Sequence, residues 1–387
     1  MPPVPDASRE KRNLGAFVAL VNLRSGGRCA AQYVHRKLSD TLGAGRVWVL
    51  FEGKTPENHR VELDRFLCRH APEFVIVAGG DGTISFAMST ILRLHEQHLL
   101  AARCGVLAPF PLGTGNDFSF TLGFGIGFSR WMVLGERRFQ RLIRAYEEAA
   151  VTNVDRWSLH VTTSTGQHSR SVVETHVLSN YFSVGFDAAV ANRLNRFRRR
   201  HLHLFMTRPV IKLWYAVFAF IALFTTKRIG SSTLLEIDGR RVAVPLSAKS
   251  VAVCNMLTYA GGAVAWNGAA SDHYSKPSVC DGRLEVVCFY GIWHLALVRL
   301  GWCYGEKLGQ GSSVRIRSNC RTCQFDGEEI LCVTDAKGQS TFCIDHFCTS
   351  ECLVAPPQQE TDSSALLFAI AALVVIVVLI LCTSFFL

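Results

Sequence analysis

Short apolar runs recur through the first third of the chain, and each is closed by small or polar residues. Residues 17–21, 46–51, 75–78 and 104–110 are such runs, rich in Val, Leu, Ile and Phe. Their length and β-branched content predict buried strands. Between them, apolar residues spaced three and four apart predict helices over 30–42, 59–70 (Leu63, Phe66, Leu67) and 84–94 (Phe86, Ala87, Ile91, Leu94). A charged amphipathic helix is expected over 140–150. This alternation predicts an α/β nucleotide-binding domain with an open, mostly parallel sheet over 15–152, after a mobile tail at 1–14. From Val154 onward the pattern changes. Segments 159–161, 177–182, 234–237 and 250–254 predict a second, β-rich domain over 153–335, an antiparallel and sandwich-like one. Residues 336–364 read as a Cys-containing linker. The stretch 365–387 is apolar and carries no charge. At about 1.5 Å per residue it is long enough to form a transmembrane helix.

Three strands of the first half run into turns of small residues. The first turn holds Asn22, Ser25, Gly26 and Gly27. The second holds Gly79, Gly80, Asp81, Gly82 and Thr83, and the third Gly113, Thr114, Gly115 and Asn116. Turns that follow the strands of an open parallel sheet gather at its carboxyl edge, where ligands bind. Glycine lets the backbone approach a ligand closely, and the helix that follows offers free N–H groups and a positive dipole end to phosphate. Asp81 is out of place in a plain phosphate cradle because it repels anions. It fits a site where a carboxylate holds Mg2+ or takes a proton. The plainer alternative is a tight strand-to-helix turn with a capping Asp.

The second and third turns read GGDGT and PLGTGND, and the first, starting at Val21, reads VNLRSGG. Together they resemble the diacylglycerol kinase catalytic domain, whose superfamily includes the sphingosine, ceramide and NAD kinases. Further matches lie in the second half: VDRW at 154–157, NYFSVGFDA at 180–188, NMLTYAGG at 255–262, DGRLEVV at 281–287 and FDGE at 325–328. These resemble the accessory domain of diacylglycerol kinases and favour that family over its cousins. No Cys/His-rich lipid-sensing module precedes the catalytic segment, so a short form is expected. The resemblance implies an ATP-dependent lipid kinase that phosphorylates diacylglycerol to phosphatidic acid, with ATP and Mg2+ as cofactors. It implies that the three turns cradle ATP, with Asp326 contributing from the FDGE segment. Asp81 and Glu328 are the candidate bases, and the resemblance does not choose between them. Glu328 is otherwise a turn residue after Asp326-Gly327. A weaker implication is a structural Mg2+ at Asp281. GTGND is followed by Phe118-Ser119-Phe120, where the family often has Leu-Ala-Arg. Two alternatives stay open: a sphingosine or ceramide kinase of the same fold, and a catalytically inactive, membrane-anchored lipid-binding protein.

The net charge of +10 suits an anionic partner. No nucleic-acid module is recognisable, so no nucleic acid is expected and anionic lipid is favoured. Six arginines between Arg193 and Arg208 precede an apolar stretch at 213–224. That pair fits a helix face near anionic headgroups, although core packing also explains the apolarity. Met1 to Leu14 contains no apolar signal core. The expectation is a tail-anchored protein with its catalytic domains in the cytosol, on an organelle the sequence does not specify. In a reducing compartment most of the 14 cysteines would be free thiols. Cys320, Cys323, Cys332, Cys343, Cys348 and Cys352, with His346, crowd together; they read either as part of a zinc site or as surface thiols.

Overall fold

A computed structural model describes residues 11–51, 56–128, 132–165, 170–201, 208–268, 274–331 and 339–357. The first domain runs β1 (Phe17–Asn22), α1 (Arg28–Leu42), β2 (Val47–Leu50), α2 (Pro56–His70), β3 (Phe74–Gly79), α3 (Asp81–Glu96), β4 (Val106–Pro111), α4 (Asp117–Thr121) and α5 (Met132–Glu148). Strands β2, β1, β3 and β4 lie side by side and parallel. Every residue of β3 and β4 is buried. Strands covered on both faces read as continuous apolar runs rather than alternating ones, which is why the pattern picked them out.

The second part runs β5 (Ala150–Thr165), β6 (Arg170–Leu178), β7 (Tyr181–Gly185), α6 (Phe186–Arg200), α7 (Arg208–Thr225), β8 (Thr233–Ile237), β9 (Arg240–Val242) and β10 (Ser250–Cys254). It continues through β11 (Leu284–Phe289), α8 (Ile292–Arg299), β12 (Glu306–Gly311), β13 (Ser313–Ser318), β14 (Thr322–Phe325), β15 (Glu328–Leu331) and β16 (Ser340–Val354). A six-stranded antiparallel sheet in the order β12-β11-β10-β7-β14-β15 faces strands β5, β8, β13 and β16. Trp157, Phe182, Val251, Val286, Ile316, Phe342 and Ile344 fill the space between the two sheets.

Three expectations are corrected. Residues 340–354 are not linker but strand β16. It pairs with β13 and β5 over its length and meets β4 at Cys352 and Leu107, so a single ten-stranded sheet runs through both domains. Phe342 and Ile344 belong to the sandwich core, while Cys352 and Leu353 belong to the core of the first domain. Cysteines and polar residues between these anchors hid the strand. Residues 11–14 are not a free tail either. The Arg12 guanidinium bonds the Ala149 carbonyl at 2.8 and 3.0 Å and lies over the Phe74 ring. The strand expected over 177–182 is broken at Ser179 and Asn180, because a carboxylate from the second domain captures their amides.

No helix among the described residues is long and apolar enough to cross a membrane. The stretch 365–387 lies outside them. Among the described residues no group of three or more His, Cys, Asp and Glu side chains could hold a metal. Cys323 is on the six-stranded sheet, whereas Cys343, Cys348 and Cys352 are on β16 of the other sheet and free. Cys332 lies outside the described residues.

Ile344 is fully buried, so Ile344→Ala is expected to cost about 2–5 kcal/mol. Since β16 serves both domains, thermal unfolding of this variant should show one shifted transition. Two separate transitions, with only one displaced, would contradict a shared strand.

Candidate active site

Asp81 opens α3, three residues earlier than the apolar spacing suggests. Its carboxylate does not cap its own helix. It crosses to the third turn, where one oxygen accepts from the Asp117 amide and the other from the Phe118 amide, both at 3.1 Å. The plain capping role is therefore present, but for the neighbouring helix α4. Asp117 in turn accepts from the Thr258 hydroxyl at 2.9 Å and from the Gly261 and Gly262 amides at 2.7 Å. The two carboxylates thus form a chain from the second turn, through the third, to loop 258–262 of the second domain. Both are buried. Burial first, then the charge of Asp117, pushes the Asp81 carboxyl well above the usual carboxylate range. Burial also raises Asp117, while its amide and hydroxyl donors and the Arg299 guanidinium oppose the shift.

The three turns are packed against one another. A Cβ on Gly26, whose φ is +68°, would strike the Leu112 carbonyl. A Cβ on Gly113 would strike the Gly80 Cα, and the Gly113 and Leu112 amides bond the Gly79 carbonyl at 2.9 and 3.0 Å. Only glycine permits backbone approaches this close. Asn22 donates to the Thr83 hydroxyl at 2.9 Å, tying the first turn to the second. The Ser25 amide closes the first turn on the Asn22 carbonyl. Gly27, beside it, caps the N-terminus of α1. Asn116 spends its side chain inside its own turn: it accepts from Gly113 and donates to the Gly113 and Ile126 carbonyls. Thr114 and Gly115 stay half-exposed, and Gly82 is exposed.

The FDGE segment is a hairpin. Asp326 and Gly327 both have positive φ, +47° and +82°, and link β14 to β15. An Asp-Gly pair is favoured at such a turn. The Asp326 carboxylate accepts from the amides of Ser179, Asn180 and Tyr181 at 2.7–3.0 Å. Burial moves it up to about 6, against the pull of those amides and of Arg156. With both oxygens engaged by main chain, Asp326 holds the hairpin. From the other side, Asn195 bonds the Gly327 carbonyl at 2.8 Å and Arg196 pairs with Glu329. Glu328 follows on this fixed tip and is exposed. Its Oε1 lies 3.9 Å from where a Cβ on Gly82 would sit. The two candidate bases, 247 positions apart in the chain (328 − 81), therefore flank the same glycine turn.

Asp281 is placed elsewhere, on the turn before β11, where it accepts from the Arg283 amide at 3.1 Å. Burial raises its carboxyl, and the neighbouring Asp155 adds to the rise. Sequence reasoning passed over Asp117, Thr258 and Arg299. Asp117 is the last letter of GTGND, but its partners lie more than 140 residues away. It also passed over Arg156, fully buried beneath α3, which donates to Ser89 at 2.7 Å, and Ser85, which meets Ser179 at 3.2 Å. These contacts hold α3 against the second domain.

Family comparisons match residues 16–132 to the diacylglycerol kinase catalytic domain and residues 177–329 to the diacylglycerol kinase accessory domain. The chain is 30% identical over 321 residues to diacylglycerol kinase 2 of Arabidopsis thaliana, covering 81% of this chain and 43% of that protein. It is 31% identical over 329 residues to a putative diacylglycerol kinase of Caenorhabditis elegans, covering 81% of this chain and 33% of that one. The chain thus spans less than half the length of these curated relatives. Among solved structures, yeast NADH kinase complexed with NADH aligns over 87% of this chain and 83% of its own, at a TM-score of 0.38 and 11% identity. That overlap is too loose to match residues.

The raised carboxyls of Asp81 and Asp117 have a pH signature. A carboxyl whose folded-state pKa lies above its unfolded value keeps a proton in the fold that the unfolded chain gives up. Stability is then fully present below the ordinary carboxylate range and is lost as pH rises through the raised pKa. The melting temperature is expected to fall across that window, with a shallower fall in Asp81→Asn. Equal slopes in the two proteins, measured by calorimetry, would show that Asp81 does not hold the proton.

Proposed function

The chain belongs to the diacylglycerol kinase family, carrying that family's catalytic and accessory domains, and from this we propose that it transfers the γ-phosphoryl group of ATP to the hydroxyl of diacylglycerol, giving phosphatidic acid. One observation carries the reading. Three glycine turns close on one another at the carboxyl edge of a parallel sheet, and a carboxylate from the second domain faces the middle turn.

Ser25, Gly26 and Gly27, Gly79 to Thr83, and Gly113 to Gly115 would cradle the nucleotide through main-chain N–H groups and hydroxyls. Side chains at Gly26 or Gly113 would strike the backbone of the neighbouring turn and push the cradle apart. Asn116 would act indirectly, by fixing the third turn. Mg2+ usually keeps several waters and is held by one or two carboxylates plus substrate phosphates. That mode fits a site where the exposed Glu328 carboxylate faces a glycine turn, while both Asp81 oxygens are taken by main-chain amides. When bound, the ion would neutralise charge on the transferring group.

Asp81 has both oxygens tied to main-chain amides, so we assign it the shaping of the two turns and of the local field. Glu328 is exposed toward the glycine turn on a hairpin tip held at several points. We assign it the base that takes the proton of the acceptor hydroxyl. Asp326 is then a positioning residue behind it. We also propose that the uncharged stretch 365–387 spans a membrane and leaves the two domains on the cytosolic face, where the lipid substrate resides.

The test is phosphoryl transfer from labelled ATP in mixed micelles containing diacylglycerol, sphingosine or ceramide. Phosphatidic acid is the expected product, and Asp81→Ala should abolish it. Glu328→Gln is expected to lower kcat by about 100-fold or more while nucleotide still binds. A Glu328→Gln enzyme that keeps most of its rate would return the base to Asp81. A phosphorylated sphingoid product would change the substrate, and a chain that neither binds nucleotide nor forms product would leave a lipid-binding scaffold.

A further inference from the structure

Helix α8 is short and two-sided, but its outer side is not polar. Val298 is buried, and Ile292 and Leu295 pack with it against Tyr259, Val287 and Phe289 beneath the six-stranded sheet. One helical turn apart on the other side, Trp293 and Leu297 are 43% and 38% exposed. The chain then turns back: the Trp302 amide bonds the Leu297 carbonyl at 3.0 Å, and His294 bonds the Tyr304 carbonyl at 2.9 Å. This brings Trp302, 70% exposed, and Tyr304 beside the helix, while Tyr290 stacks on His294. Helix α7 packs against α8 and leaves Val217 and Ile221 exposed at a spacing of four. A water-facing helix normally turns charged and polar residues outward, and a joined apolar patch marks an interaction surface.

The rim identifies the partner. The Lys249 side chain passes within 3.4 Å of the Cβ position of Gly291, at the start of α8. The Ile229 amide bonds the Ala248 carbonyl at 2.8 Å, which ties the chain just after the exposed Lys227 and Arg228 to the residue before Lys249. Arg299 adds a further cation at the far end of α8, and Glu306 lies near Tyr290. Aromatic residues with a polar tip, aliphatic neighbours and a basic edge match the headgroup zone of an anionic bilayer. Position supplies the second argument. Arg299 bonds the Ala260 carbonyl at 2.6 Å, in the loop whose Gly261 and Gly262 amides hold Asp117. Leu257 and Val264, also exposed, flank that loop. The patch therefore runs up to the candidate active site.

We propose that the face formed by Trp293, Leu297, Trp302 and Tyr304, with Val217 and Ile221, docks on an anionic lipid bilayer and sets the mouth of the site at headgroup level. This deepens the lipid kinase reading and rests on it for the substrate. Docking itself is read separately from turnover.

The full chain is reconstituted in phosphatidylcholine–phosphatidylserine vesicles with brominated acyl chains, and tryptophan fluorescence is recorded. The stretch 365–387 contains no tryptophan, so quenching reports on the folded domains. Quenching in the wild type and its loss in W293F/W302F are expected. An unquenched wild type, or equal quenching in the double variant, overturns the proposal. So does an unquenched patch buried against a second copy of the chain. In the second arm, W293S/W302S is expected to slow turnover of bilayer diacylglycerol about tenfold while leaving soluble dihexanoylglycerol turnover within about twofold. An equal loss on both substrates counts against docking. If the wild type phosphorylates neither, the kinase reading fails, and the quenching result still decides whether this face meets lipid.

Discussion

The burial of two carboxylates, Asp81 and Asp117, is the constraint on which the site depends. Among the described residues neither forms a salt bridge; each is held by main-chain amides. A buried carboxylate is tolerated only when its oxygens find donors, so each acid dictates where a piece of backbone must lie. Asp81 draws the start of α4 to the second glycine turn. Asp117 draws loop 258–262 to the third. Asp326 does the same for residues 179–181. Three acids thereby decide how two domains meet around one cleft.

That arrangement explains why the glycines cannot be read as loop punctuation alone. Gly80 and Gly113 approach so closely that a side chain on Gly113 would meet backbone. The carboxylates pull the turns together, and the glycines remove the atoms that would hold them apart. The cleft that results is lined by main chain, which suits a ligand rich in negative oxygen atoms. Glu328 enters from a hairpin whose tip is fixed by Asp326, Asn195 and Arg196 rather than by its own contacts.

Much of the first domain was legible because its strands are buried on both faces and its helices keep a 3.6-residue period. The three glycine turns were legible for a related reason, since close backbone approach demands a specific residue type. What stayed hidden depended on distant partners. Nothing near Asp117 signals Thr258, and nothing near Ser179 signals Asp326. Strand β16 was missed because its apolar anchors, Phe342, Ile344 and Leu353, serve two different cores and are separated by polar residues. The outer face of α8 was missed because Trp293 and Leu297 alone look like ordinary core spacing.

Strand β16 also has a consequence for the order of events when the chain is made. It joins β4 and β5, strands that precede it by 245 residues at the Leu107–Cys352 pair and by 179 to 204 residues along β5. Neither sheet edge is covered until the segment through Val354 has emerged, so the first domain waits with an open edge while the second is synthesised. Non-local pairings of this kind form slowly and leave aggregation-prone edges in the interim. Residues such as Cys352 and Leu353 thus act as the closing step of folding for a domain whose other elements end with α5 at Glu148.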